Sequence, residues 1–284
     1  MVAEKQRSKN RLTKKIGRVL LYLIMISASV GMCMPFLWMI SASLKPEIDV
    51  FGFPIKWIPE TFRLQNYVDV WTSIPFFTYY RNTIIVAFSI TALQVLTCSL
   101  AAYAFTKINF PERNKIFLAY LSTMMVPFQV IMIPQFFIIK GLGLVDHLES
   151  VILLGAFSAF GVFLFRQFFM TIPESLSEAA RVDGCSEFGI YSRIIMPLAK
   201  PAIASLIIFT FVTAWNDFLG PLIYLNSDNV KTLQLGIRSF QTLYSASYAL
   251  IMAAATCSTL PVIIVYLCAQ DQFVEGIAAT GIKG

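Results

Sequence analysis

The sequence predicts an all-α integral membrane protein with six transmembrane helices, and three observations carry that prediction. Hydrophobic residues make up 57% of the 284 and charged residues only 13%, with 25 Phe, far from the roughly half-apolar, quarter-charged balance of soluble domains. Uncharged intervals recur that match the ~20 residues a helix needs to cross a ~30 Å hydrocarbon core. No alternation of apolar and polar residues marks a closed barrel, so lipid, which penalises every unpaired backbone group, forces helices.

Residues 1–18 form a basic tail in which Lys5, Arg7, Lys9, Arg11, Lys14, Lys15 and Arg18 precede the first apolar run. Much of the net charge of +6 sits there, which is the pattern of a cytoplasmic anchor on the lipid bilayer and not of a nucleic-acid partner. The first span, about 19–44, follows a start that looks like a signal peptide, with Ser41-Ala42-Ser43 as a weak cleavage site. Its uncharged stretch exceeds the roughly 7–15-residue apolar region of a signal, so it reads as a retained helix. A long loop, 45–81, comes next, with Trp57 and Trp71 as expected interfacial anchors.

The second and third spans, about 82–106 and 116–139, are bounded by Arg81, Lys107, Lys115 and Lys140. The fourth, about 150–169, tolerates Arg166 because a long side chain near a helix end reaches the headgroups. The fifth and sixth run over about 201–224 and 248–268, completing a transmembrane domain of residues 19–270 before a tail of 271–284. With the N-terminus inside, Lys and Arg favour the inside segments by about two to one, so both termini are expected in the cytoplasm. The cysteines Cys33, Cys98, Cys185, Cys257 and Cys268 show no paired spacing, and neither disulfide nor metal is expected.

The segment 171–200, on the cytoplasmic side between spans four and five, is polar and small-sided. Thr171-Ile-Pro-Glu174 and Ser175-Leu-Ser-Glu178 both read as capping boxes opening a short helix. Leu176, Ala179, Ala180 and Asp183 recur at helical spacing as one nearly smooth face flanked by Glu178 and Arg181. Gly184 then ends the helix, as the residue that enters a left-handed turn without steric cost. A second helix from about Ser186 to Met196 offers Phe188, Tyr191, Ile194 and Ile195 for packing, before Pro197 and Pro201 turn the chain into the membrane. Two readings stay open on the residues alone: an amphipathic loop lying on the bilayer, or a rigid helix-turn-helix elbow that a second protein approaches. A surface-lying helix calls for large apolar groups and a basic rim, whereas this one presents Ala-Ala and acids.

Glu178-Ala179-Ala180, then Gly184, nine intervening residues and Ile194-Ile195-Met196-Pro197 closely resemble the EAA loop of bacterial ATP-binding-cassette importer permeases. Met196 for Leu is the one departure, and it conserves volume. "FLWMISASLKP", "WNDFLGPLIYL" and "DQFVEGIAATGIKG" extend the resemblance to the carbohydrate-uptake, maltose-type branch, on the side of its smaller permease subunit. The resemblance implies a type I (MetI-like) six-helix permease in a bacterial or archaeal inner membrane. It implies as partners a second homologous permease, two ATP-binding-cassette ATPase subunits, an extracytoplasmic solute-binding protein and a sugar substrate. Under it, Glu178, Ala179, Ala180, Asp183, Gly184, Ile194 and Pro197 form the coupling loop that seats in the ATPase. The chain has no G-x-x-x-x-G-K-[ST] phosphate loop, so ATP and Mg belong to the partner, this chain needs no cofactor, and it is a transporter subunit and not an enzyme.

Gln94, Gln129, Gln135 and Asn216 are amides that suit sugar hydroxyls as donors and acceptors, and equally suit helix-to-helix bonds. With Asp217, the acidic residue well inside the fifth span, Gln94, Gln129 and Asn216 are candidates for a translocation path; Asp217 reads as readily as a structural pair. Asn229, Gln234, Gln241 and Tyr244 lie on an outer loop, 227–247, that in the resembling permeases contacts the binding protein, or is a plain solvated connection. An ion-coupled secondary transporter and a non-transporting scaffold or receptor subunit are the alternatives from other classes. The first calls for several ionisable groups at mid-membrane, where this chain has one at most.

Overall fold

The computed structural model describes residues 2–241 and 246–281, with side chains over 15–241 and 246–272. The described chain is helical and divides into two units, Met1–Val70 with Thr242–Thr256, and Trp71–Gln241 with Cys257–Gly284.

In the first unit, α1 (Val2–Ser43) supplies an apolar span from Lys15 to Ser43 whose most apolar window is wholly exposed. The chain then folds over the end of that helix. The Asn66 amide donates to the carbonyls of Ser43 and Lys45, each at 2.8 Å, and Ser43 Oγ meets Tyr67 OH at 2.8 Å, which fastens the start of α2 (Gln65–Ser73). Glu47 accepts hydrogen bonds from the backbone N–H groups of Tyr248 (2.7 Å) and Ala249 (2.8 Å). Its carboxylate thereby caps the N-terminus of α14 (Tyr248–Gly281), satisfying donors that have no partner within that helix.

The second unit is organised on α3 (Phe76–Lys107), against which α6 (Leu148–Gly155), α7 (Ala159–Phe169) and α11 (Lys200–Trp215) pack. Toward the Lys107 end, Cys98, Tyr103, Val162, Phe165, Phe169, Ile195 and Leu206 share one buried cluster. Toward the Phe76 end, Val86, Ile90, Ile139, Val151 and Tyr224 form another.

Among the described residues, four helices are long and apolar enough to cross a membrane, Lys15–Ser43, Phe76–Lys107, Leu148–Phe169 and Tyr248–Gln272, and up to six crossings result when two bent pairs are each counted as one. The bends fall where apolarity alone gives no warning. The stretch expected as one third span is α4 (Arg113–Ser122) with a 3-10 turn (Thr123–Met125), then α5 (Phe128–Gly141), meeting at 100°. Pro127 explains the break: it has no N–H to continue the ladder, and it holds Val126 extended (φ −83°, ψ 115°). The expected fifth span likewise divides, α11 stopping at Trp215 and α12 (Leu219–Tyr224) beginning after residues 216–218. Within the fourth, Ala156 to Ser158 separate α6 from α7, and the Ser158 hydroxyl accepts from Gly161 N–H to start the second piece.

Gly161 lets α7 pack closely against α3 and α11. A Cβ there would stand 2.8 Å from Cys98 Sγ and 3.1 Å from Leu206 Cδ1, so neither helix has room to yield without moving the cluster. Gly161→Val is expected to destabilise the chain by about 1–3 kcal/mol through overpacking, read as a lowered thermal midpoint in detergent. Gly141→Ala, whose added methyl meets nothing within 4 Å, serves as the matched control and should leave the midpoint nearly unchanged.

Candidate functional site

The segment between α7 and α11 folds as an elbow. Its first arm is α8 (Glu174–Val182), capped by Pro173 with no side-chain hydrogen bond. The two expected capping boxes do not form: Thr171 Oγ1 donates back to Phe168 O at 2.7 Å, and Ser175 lies inside the helix. The helix ends on Gly184 at φ +78°, with Gly184 N bonded to Arg181 O (3.1 Å) and Cys185 N to Ala180 O (2.9 Å). That paired closure is a Schellman motif, and it needs a residue at ease in the left-handed region. The second arm, Glu187–Leu198, comprises α9 (Glu187–Ile190), a π-helical stretch (Tyr191–Ile195) and α10 (Met196–Leu198), and it starts from Ser186, which accepts from Gly189 N–H. Pro197 lies within this arm; the 79° bend into α11 comes after it, at Ala199, with Pro201 in the first turn.

The face read from sequence divides in two. Ala180 and Ser177 are buried, Ala180 within the Lys107-end cluster. Leu176, Glu178, Ala179 and Asp183 are exposed. Val182, at 88% exposed, joins them on the outside. On the second arm Tyr191 and Ile195 are buried and Ile194 packs partly against the same cluster, as expected, but Phe188 points outward. The elbow therefore combines an inner side locked to the helical core with an outer side of small, aliphatic and acidic groups.

A chain of charges performs the locking. Lys107, the last residue of α3 and only 3% exposed at its side chain, donates to Ile172 O and to Glu174 Oε2, each at 2.9 Å. Arg181 bridges onward to Glu174 Oε1 (3.2 Å) and Glu187 Oε1 (2.8 Å), and also donates to Lys107 O (3.1 Å). Tyr103 OH donates to Glu187 Oε2 at 2.6 Å, and Ser99 Oγ meets Tyr191 OH at 2.8 Å. Both arms are thus bolted to one turn after another of α3. The hydrogen bonds from Arg181, and then Tyr103, hold the Glu187 carboxyl below its ordinary value. Burial pushes the Glu174 carboxyl up, but the bonds from Lys107 and Arg181 outweigh it and leave it lowered. Arg181 is held above the usual guanidinium range, first by Glu187.

Farther along the second unit, the helix breaks open a cavity of about 770 Å³, whose lining includes Gln94, Ser158, Thr210, Thr213, Asn216 and Asp217 among Phe160, Phe209 and Phe218. Gln94 spans three elements: its amide donates to Gly155 O (2.7 Å) and accepts from Thr210 Oγ1 (2.8 Å). Asp217 is a cap: its Oδ1 accepts from Gly220 N–H at 3.2 Å to start α12. A Cβ on Gly220 would come within 2.6 Å of Asp217 Oδ2, so the pair is fitted to each other. Gln129 does not line the cavity; it lies on an exposed stretch of α5. The Gln135 Oε1 atom is buried with no hydrogen-bond partner.

Near the Phe76 end, the chain after α12 is strapped down. The Asn82 amide holds the carbonyls of Asn229 (2.9 Å) and Lys231 (3.0 Å), and Thr83 Oγ1 accepts from Leu233 N–H (2.8 Å) where α13 (Leu233–Arg238) begins. Asp146 accepts from the N–H groups of Asn226 (2.7 Å) and Ser227 (2.8 Å) and from the Ser227 hydroxyl. Gln234 donates to Asn216 Oδ1 at 3.3 Å, joining a residue read as part of the outer loop to one read as part of the path. Gln241 is exposed and bonded by Arg238 at 2.8 Å. Tyr244 lies outside the described residues.

Apolar spans broken around a cavity whose largely apolar wall carries a few amide, hydroxyl and carboxylate groups, with a stiff elbow at the end of the central helix, define a transmembrane permease. The chain belongs to the family of binding-protein-dependent transport system inner membrane components, whose model matches residues 8–278. It is 35% identical over 273 residues to the arabinooligosaccharides transport system permease protein AraQ of Bacillus subtilis, covering 95% of this chain and 97% of the relative. It is 34% identical to the sn-glycerol-3-phosphate transport system permease protein UgpE of Salmonella choleraesuis, covering 80% and 84%. Its fold is that of a chain of a bacterial ABC transporter involved in the import of the acidic polysaccharide alginate, at a TM-score of 0.79 and 24% identity, with 92% of this chain and 98% of the other covered. A chain from the alginate transporter in complex with an alginate pentasaccharide-bound periplasmic protein matches at a TM-score of 0.63 and 16% identity, covering 91% and 96%.

Because the Glu187 carboxyl titrates lower in the folded chain than its ordinary 4.5, its bonds stabilise the elbow above that value and are lost as pH falls through the depressed one. Glu187→Gln is expected to lower the thermal midpoint at neutral pH, and the gap to the parent chain should close as the pH is taken well below 4.5. A gap that stayed constant with pH would assign the loss to packing rather than to charge.

Proposed function

We propose that this chain is the membrane-spanning permease of an ATP-driven, binding-protein-dependent importer of carbohydrate. It works beside a second homologous permease, two ATPase subunits that carry the ATP and Mg, and an extracytoplasmic solute-binding protein. Both termini and the elbow lie in the cytoplasm, following the excess of Lys and Arg on those segments.

The observation that carries this reading is the elbow itself. Its inner side is fixed to α3 by Lys107, Glu174, Arg181 and Glu187, while Leu176, Glu178, Ala179, Val182 and Asp183 face outward. Force applied to the outer side by a closing ATPase dimer is delivered to α3 without slack, and α3 carries the cavity residue Gln94. Small residues at the contact permit close approach, and Gly184 holds the angle. Rocking of the helices about this contact would expose the cavity alternately to either side. Amides, hydroxyls and three phenyl rings in the cavity wall suit a sugar, whose hydroxyls need donors and acceptors and whose ring faces are apolar. Arabinooligosaccharides and sn-glycerol-3-phosphate, named for two of the relatives, mark the range of substrates.

Ala179 is the residue with which to test coupling, because Ala180 is buried and a charge there would unfold the elbow before it uncoupled it. Ala179→Asp is expected to leave the permease in the membrane with an unchanged thermal midpoint and to abolish uptake while the ATPase continues to turn over. Gly184→Leu, forced into the left-handed region at a cost of about 1–2 kcal/mol, should reduce uptake in the same way. Normal uptake by Ala179→Asp would end the coupling assignment.

A further inference from the structure

Residues 46–64 are the part of the first unit that the permease reading leaves without a task. From the geometry of this segment we propose that it forms a membrane-inserted collar, its apolar crest seated in the headgroup and acyl-chain boundary of the bilayer around the end of α1.

Depth is set by two helix ends. Ser41 Oγ donates to Trp57 O at 2.5 Å and Lys45 Nζ donates to Lys56 O at 2.5 Å, so the returning limb of the segment runs back alongside the last turns of α1. Trp57 meets Trp38 edge to face at 5.5 Å, and Trp38 lies five residues, or about 8 Å, below the helix end. At its other side the segment is held by Glu47 to the first N–H groups of α14. The collar therefore sits level with the ends of two apolar spans and descends along one of them.

Its exposed surface carries an apolar crest beside the charged groups Asp49, Lys56, Glu60 and Arg63. Phe53 is 94% and Ile48 87% exposed, with Phe51, Ile55, Ile58 and Phe62 also outward. Most of the charges have partners: Glu47 caps α14, Lys56 pairs with Glu60 at 2.8 Å, Arg63 lies 3.9 Å from Asp69, and Lys45 lies 4.2 Å over the Trp38 ring with Asp49 nearby. An apolar crest of this size is not a water-facing loop, and its surface continues that of α1, whose most apolar window is equally exposed. An interfacial segment with aromatic and aliphatic groups on one side has this composition. The indoles expected as anchors, Trp57 against Trp38 and Trp71 against Phe76 at 4.9 Å, stay exposed beside the phenylalanine and isoleucine side chains.

The test uses the full-length chain, co-purified with its membrane partners and reconstituted in lipid nanodiscs, carrying Phe53→Trp or, separately, Ile58→Trp. The emission added to that of the four native tryptophans is read against brominated phosphatidylcholine and aqueous iodide. At an interfacial depth of roughly 5–10 Å, lipid brominated near the headgroup end of its acyl chains should quench the added indole about twofold more than lipid brominated near the chain ends, with little effect of iodide. Strong quenching by iodide overturns the proposal in favour of a solvated loop. Quenching by neither agent overturns it in favour of cover by a partner protein.

Discussion

A lysine ammonium only 3% exposed must be surrounded by acceptors, and the way Lys107 meets that demand organises the end of the second unit. It takes one backbone carbonyl and one Glu174 oxygen; Glu174 and Glu187 then take the two sides of the Arg181 guanidinium. Removing Glu174 would strand the buried Lys107 ammonium, which is costlier than never having placed it there, whereas Arg181 and Glu187 keep contact with water. Conformational specificity is the return: α8 and the second arm have one position relative to α3, set by fork-like hydrogen bonds that permit little rotation.

The same helix carries polar contacts at three levels of that unit. Along the roughly 48 Å of α3 come Asn82 and Thr83, which hold the loop after α12, then Gln94 at the cavity, then Ser99, Tyr103 and Lys107 at the elbow. Each of these side chains bonds a backbone or side-chain group on a different element, as polar residues do when they join helices in lipid. A rod fastened at three levels transmits displacement as a body, and the surrounding helices are interrupted at Pro127, at Ala156 to Ser158 and at residues 216–218. Asp217 illustrates the division of labour. Its Oδ1 closes the N-terminus of α12, so this carboxylate serves the fold, and among the described residues the cavity lining shows no second ionisable group of the kind that ion coupling calls for.

Several features of the site were legible in the chain and several were not, and particular residues show why. Gly184 was readable because a left-handed turn excludes nearly every other residue, and it sits at φ +78°. The capping boxes were not, since a hydroxyl at the right spacing has other acceptors available: Thr171 turned to Phe168 O, the end of the preceding helix. Ala180 and Ala179 are adjacent and chemically identical, yet one is core and the other surface; only the direction from which α3 approaches distinguishes them. Gln129 and Gln94 looked alike as path residues, and the 100° bend at Pro127 accompanies the separation of α5 from the cavity while α3 holds Gln94 in it. Pro127 stood in the sequence as a signal, outweighed by the apolarity on either side.

By itself the sequence determined that this is a multi-span helical membrane protein, where its apolar runs begin and end, and that a small-sided elbow interrupts them at Gly184. Those properties follow from solvent preference and backbone sterics, which act residue by residue over a turn or two of chain. The pairing of Lys107 with Glu174, of Tyr103 with Glu187, of Asn82 with the carbonyls of Asn229 and Lys231, and of Gln234 with Asn216 was decided only by the tertiary structure. Such bonds join groups tens of residues apart, each with many possible partners of equal chemistry, and packing in three dimensions is what leaves one of them within reach.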